Sequence, residues 1–464
     1  MPSKPRSLWE SVTAAGGPCG RLHGLHATVA LADLARGSSL GGRLDELRAR
    51  SVLIAIKDPL AAALALIELD GVARRMVLSP PDLAAAHLPA VIQGAALDAC
   101  VHEADAPPGP LPGIDRVVGI ETTLRPGASA RESSQATEWI LLTSGTTGVP
   151  KLVRHDLASL TSALADAGPP PEPIVWSTFY DIRRYGGLQI YLRAVHVGSL
   201  VLADPAESVP DFLARAAAAG VTHISGTPSH WRRVLMSGAA AKIAPRYVRL
   251  SGEIADQAVL DALHAAYPQA TVAHAFASTE AGVAFEVRDG RAGFPASLIE
   301  VPGSTVRLTI AGGTLHIRSP GNARDYLGEG AEALRGSDGA VDTGDRVEER
   351  EGRYYFLGRQ GGVINVGGLK VYPEEIEAVI NAHPLVRMSL VRARRNPITG
   401  AVVTADVVLA DDPLGTERPA PEALARELLT SCRRSLAAYK VPASIRIVPR
   451  LEVSPSGKLV RPSA

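Results

Sequence analysis

The strongest chemical signal in the chain is the run Thr143-Ser144-Gly145-Thr146-Thr147-Gly148-Val149-Pro150-Lys151, directly after the apolar stretch Trp139 to Leu142. Gly145 and Gly148 let backbone N–H groups close on an anion, the hydroxyls of Thr143, Ser144, Thr146 and Thr147 add short donors, and Lys151 supplies positive charge. A strand leading into such a loop makes a cradle for a triphosphate. The spacing is G-x-x-G-x-x-K, not the Walker arrangement G-x-x-x-x-G-K-[ST]. Three later groups also carry reactive residue types: Phe276-Ala277-Ser278-Thr279-Glu280, then Asp342-Thr343-Gly344-Asp345 with Gly358-Arg359, and last Lys458 after Val453-Ser454-Pro455-Ser456-Gly457. Taken singly they read as a strand end, a β-turn and a solvated lysine.

Together, in this order and at these distances, the segments closely resemble the signature motifs of the adenylate-forming superfamily. That group includes acyl-CoA and aryl-CoA ligases, peptide-synthetase adenylation domains and firefly luciferase, and the resemblance runs from about Ser51 to Arg461. It implies ATP and Mg2+ as cofactors. Phe276 would lie against adenine, Thr279 near the α-phosphate, and Glu280 on the magnesium ion that bridges phosphates. A flat apolar ring suits a purine, and a carboxylate suits a hard cation. Asp345 would accept from both ribose hydroxyls, with Arg359 donating near ribose or phosphate. Ser251, Gly252 and Glu253 stand where relatives place a Gly-rich turn beside adenine. Lys458 would be the catalytic lysine, because a cation at the bridging oxygen offsets the charge crowding when a carboxylate attacks the α-phosphate. The chain departs from the pattern at Ala277, usually glycine, at Phe276, usually tyrosine, and at Gly361-Gly362, near which relatives carry Asp or Lys as the hinge of a rotating C-terminal domain.

The implied activity is that of an acid–CoA ligase, which forms an acyl-adenylate from a small carboxylic acid and passes the acyl group to coenzyme A. Gly367 and Gly368 resemble the loop that lines the pantetheine tunnel in relatives. Two other readings stay open: an enzyme that loads a carrier protein, for which Arg392 to Arg395 offers a basic face, and a homologue that binds nucleotide or acyl-CoA without turnover. For the acid, Asp181, Arg183, Arg184 and Gly187 stand where relatives place the gate and first helix of the acyl pocket, and His223 is expected nearby. An arginine there pairs with a second carboxylate or a hydroxyl-bearing acid, Asp181 reads an amino group, or the charges form a structural ion pair.

These residues need a scaffold, and the sequence spells one out. From Ser51 a β-branched strand, an Ala/Leu-rich helix and a second short strand follow one another, and the alternation recurs around residues 84–103, 211–228 and 258–278. This predicts an α/β fold: a large N-terminal domain of doubly wound sheets with a small β-subdomain beyond Gly293, then a smaller α+β C-terminal domain. The boundary is placed at 359/360, giving 1–359 and 360–464. The stretch from Glu103 to Gln135, rich in Pro and Gly, reads as a surface connection. Lys plus Arg and Asp plus Glu number 48 each, so no net field draws the chain to nucleic acid or an anionic membrane. Cys19, Cys100 and Cys432 form no CxxC pattern, which argues against disulfides and structural zinc. No apolar run approaches the ~18 residues of a membrane span, and no signal peptide is evident, so a cytoplasmic protein is expected.

Overall fold

The computed structural model describes residues 6–14, 20–126, 135–143, 149–164, 172–328, 330–396, 400–410, 419–453 and 458–460. Strand Ser51–Ala55, helix Pro59–Leu69 and strand Arg75–Leu78 follow one another, with the two strands parallel. The helix starts where Asp58 caps the Ala61 N–H and Pro59 presets the first turn, and it is buried on every side. A helix that is apolar all round belongs between layers. It is one of the helices of a doubly wound α/β architecture with a seven-stranded and an eight-stranded sheet.

The seven-stranded sheet has a parallel centre and an antiparallel edge, where Glu138–Thr143 turns back into Lys151–Asp156. The stretch expected to be a plain connection contains one further strand of this sheet, Arg116–Ile120, which pairs in parallel with Ala99–Glu103. Its short Val-rich core is flanked by Pro and Gly turns, and only its place beside an existing edge makes it a strand. In the eight-stranded sheet, His223–Gly226, Tyr247–Ser251 and Thr271–Ser278 are successive parallel neighbours. Their carboxyl ends therefore lie side by side, the usual place for a ligand in such sheets.

Beyond Gly293 the expected small β-subdomain is a five-stranded sheet, mostly antiparallel hairpins, that contains Val341–Arg350 and Arg353–Arg359. The C-terminal region builds a separate core around Ile376, Ile380, Val407, Leu424 and Leu428, from a three-stranded sheet and helices Pro373–Asn381 and Pro421–Ser435. Among the described residues, no helix is long and apolar enough to cross a membrane.

Candidate active site

The carboxyl end of Tyr247–Ser251 opens into a turn at Gly252, whose φ of +86° is left-handed and suits glycine. Lys458 arrives here from the C-terminal region: a side-chain carbon on Gly252 would stand 3.5 Å from Lys458 Cε. Glu253 holds the two regions together. Its carboxylate accepts from the Ser229 N–H at 2.9 Å, from the Ser229 hydroxyl at 3.1 Å, and from the N–H of Leu459, next to the lysine, at 3.3 Å. Lys458 is exposed at its surface, with protein close around much of its side chain. Its pKa is lowered, first by partial burial and then by Arg359; Glu253 and Asp345 oppose the shift while Arg184 adds to it.

Asp345 and Arg359 face each other in register across the strand pair of the β-subdomain, with Arg359 Nε donating to Asp345 Oδ1 at 3.2 Å. The other oxygen, Oδ2, is buried and meets no donor among the described residues. Burial raises the Asp345 pKa, against the pull of Arg359. A buried carboxylate oxygen with nothing to accept is costly unless a ligand supplies the donor, and a ribose hydroxyl fits that need.

Thr279 and Glu280 form the turn after Thr271–Ser278. The turn is secured from behind by His155, a residue the sequence reading did not single out: its Nε2–H donates to the Thr279 carbonyl at 2.7 Å, and its Nδ1 lies 3.0 Å from the Ser159 hydroxyl. His155 is wholly buried, and burial drives its pKa down to about 4, so it is neutral. Its signal in the sequence was its place four residues after Lys151, at alternation to the inward face of the same strand. Glu280 accepts weakly from the Tyr326 hydroxyl at 3.5 Å, and Lys151 Nζ lies 4.9 Å from the Tyr326 ring centroid. Lys151 pairs across the hairpin with Thr143 and reaches Glu332 at 3.1 Å, both ends exposed. Ser144, Gly145, Thr146, Thr147 and Gly148 lie outside the described residues. No group of three or more His, Cys, Asp or Glu side chains that could hold a metal ion is found among the described residues. Phe276 is partly buried, with near-parallel rings of Phe285 and Phe356 at 5.8 and 5.2 Å.

The residues expected to line the acid pocket are spent on the protein itself. Arg183 is 2% exposed and forked onto Asp181, with Nε to Oδ1 at 2.7 Å and Nη2 to Oδ2 at 2.8 Å, and its third arm reaches the Ile56 carbonyl. Arg184 is paired with Asp82 at 2.6 Å. Gly187 packs so closely on the Asp181–Ile182 backbone that no side chain fits. For Asp181, Arg183 and Arg184 the structure has the ion-pair alternative: the local charges find each other. His223 sits against the rings of Trp176 and Tyr247 at 4.8 and 5.3 Å, with burial lowering its pKa to about 4. Gly367 and Gly368, at φ +58° and +86°, form the two-residue turn between Ile364–Val366 and Leu369–Val371. Both glycines are thus demanded by hairpin geometry, whatever else the loop does.

A family model described as AMP-binding enzyme matches residues 29–327, and one described as AMP-binding enzyme C-terminal domain matches residues 375–458. The chain is similar to human mitochondrial acyl-coenzyme A synthetase ACSM5, 38% identical over 120 residues, which is 26% of this chain and 20% of that protein. It is also similar to the 2-succinylbenzoate–CoA ligase of Bacillus cytotoxicus, 28% identical over 343 residues, covering 69% of this chain and 68% of the relative. The chain thus spans only a fifth of the first relative's length. In fold it is similar to the anthranilate CoA ligase AuaEII in complex with anthranoyl-AMP, with a TM-score of 0.78 at 17% identity, covering 98% of this chain and 95% of that one.

Proposed function

The chain belongs to the AMP-binding enzyme family, and from that premise we propose that it activates a small carboxylic acid with ATP as an acyl-adenylate and transfers the acyl group to the thiol of coenzyme A. The observation that carries this reading is the meeting of Lys458 with the Ser251–Glu253 turn, close enough to Asp345 and Arg359 for their charges to act on the lysine. A cation at that point stabilises the charge that builds on the α-phosphate as an anionic carboxylate attacks it. ATP would be held by the loop from Thr143 to Lys151, with its ribose on Asp345, and Mg2+ by Glu280; the metal's part is to screen phosphate charge. Thr279 would donate near the α-phosphate, its turn kept in place by His155.

We place the domain boundary at 359/360, between the strand Arg353–Arg359 and the turn Gln360–Gly362. Gly361 and Gly362 have open space where a side chain would stand, so little opposes backbone rotation there. The acyl and aryl acids activated by the similar proteins named above support a small-acid substrate here.

The test is pyrophosphate exchange and release with ATP, Mg2+ and a panel of aliphatic, aromatic, dicarboxylic and amino acids, with and without coenzyme A. Lys458→Ala is expected to lower adenylation by ~10²- to 10³-fold with an unchanged thermal midpoint. Adenylation that coenzyme A does not discharge points to a carrier-protein acceptor. No adenylation of any acid sinks the catalytic reading and leaves nucleotide binding.

A further inference from the structure

Lys151 opens the strand Lys151–Asp156, and its neighbour Leu152 pairs with Leu327 at the end of the strand Asp325–Leu327. Beyond Leu327 the chain brings Glu332 back to the lysine, where its Oε2 accepts from Lys151 Nζ at 3.1 Å. The same Nζ stands 4.9 Å from the Tyr326 ring centroid, and the Tyr326 hydroxyl lies 3.5 Å from Glu280 Oε1. Lys151, Tyr326 and Glu332 border a cavity of about 360 Å³ that Arg335 and Asp342 also line.

Two of the charged groups on this cavity are engaged by backbone. Arg335 donates to the carbonyls of Asn322 and Ala323 at 3.2 and 2.7 Å, and Asp342 Oδ1 accepts from the Gly344 N–H at 2.9 Å. Lys151 and Glu332 are engaged with each other. Their side chains are 48% and 81% exposed, and an ion pair that open contributes little to stability, because water screens it and both long side chains must be held still. The consequence of the pair therefore lies in what else binds the lysine. A phosphate chain has more charge and more acceptor oxygens than one flexible carboxylate, so it displaces the carboxylate, but only by first breaking the pair.

We propose that Glu332 is an autoinhibitory competitor for Lys151. In the nucleotide-free protein its carboxylate holds the lysine that the β- and γ-phosphates of ATP would otherwise engage; it turns away when they bind and returns as pyrophosphate leaves. Only the exposed side chain of Glu332 needs to move. The contact lowers affinity for the polyphosphate end of ATP and leaves the AMP portion untouched. This rests on the reading of Lys151 as a ligand of the triphosphate.

The test is equilibrium binding of ATP and of AMP to the full chain, with Mg2+ and without any acid, followed calorimetrically. Glu332→Gln is expected to bind ATP about two- to fivefold more tightly than the native protein, the range that an exposed ion pair spans. Its affinity for AMP and its thermal midpoint are expected to match the native protein. Loss of a charge also acts at a distance, and Glu332→Asp separates the two effects: it keeps the charge but shortens the reach, so it is expected to show most of the same gain for ATP. An ATP affinity unchanged in Glu332→Gln, an equal gain for AMP, or a Glu332→Asp protein that binds ATP as the native one does overturns the proposal. Nucleotide binding without these shifts sinks the competitor alone. Failure of the native protein to bind either nucleotide sinks both the competitor and the nucleotide reading on which it rests.

Discussion

Around the proposed nucleotide site, the charged groups stand in turns and on strand edges with capacity to spare: among the described residues, Asp345 Oδ2 meets no donor, and the one side-chain contact of Glu280 is the Tyr326 hydroxyl at 3.5 Å. In the segment expected to line the acid pocket, charge is consumed locally, Arg183 by Asp181 and Arg184 by Asp82. Arg193 and Arg249 each keep a buried nitrogen without an acceptor among the described residues. Charge in a packed segment is mostly paired by its neighbours, and the Asp345 oxygen left open beside Arg359 is one the proposed ribose would satisfy.

The largest expected effect breaks the paired side. Arg183→Ala leaves Asp181 and the Ile56 carbonyl without their donor, and loss of one partner of a buried pair is expected to cost about 3–5 kcal/mol in a chemical denaturation curve. The KM for the acid should change little in the protein that remains folded; a rise in KM without loss of stability would return Arg183 to the substrate.

Next in size is the acid sensitivity of the support behind Thr279. His155 takes a proton near pH 6.5 when unfolded but only near about 4 when folded. The unfolded chain therefore binds more protons between these values. The stability contributed is complete above about pH 6.5 and drains away as pH falls toward 4, on the order of 3 kcal/mol in all. His155→Gln should flatten that part of the stability–pH profile and weaken adenylation more than nucleotide binding. An unchanged profile would show that other groups control acid unfolding.

Asp345→Asn probes the open side directly. It trades an acceptor-only carboxylate for an amide, and KM for ATP is expected to rise by about tenfold or more, the worth of a hydrogen bond to a charged group. An equal effect on binding of a ribose-free triphosphate would remove the ribose from the explanation. The smallest effect belongs to Arg184→Gln, a partly exposed pair expected to contribute no more than about 1 kcal/mol. Acid selectivity is expected to stay as in the native protein, measured as kcat/KM across the acid panel.

The sequence by itself determined the α/β alternation, the β-subdomain and the positions of the motifs that contain Glu280, Asp345 and Lys458. These features are written in local chemistry: apolar periodicity, caps, and the glycines and hydroxyls of turns act over a few residues. Only the tertiary structure decided where each charge finds its partner. Arg183 meets the carbonyl of Ile56 across a separation of 127 residues, and Glu253 meets the Leu459 amide across 206. It also made Arg116–Ile120 a strand, since pairing with Ala99–Glu103 outweighs the Pro and Gly around it. Arg193 and Arg249 look like any arginines in an amphipathic helix and a strand. The burial of their side-chain nitrogens is a property of the packed layers rather than of the local chain.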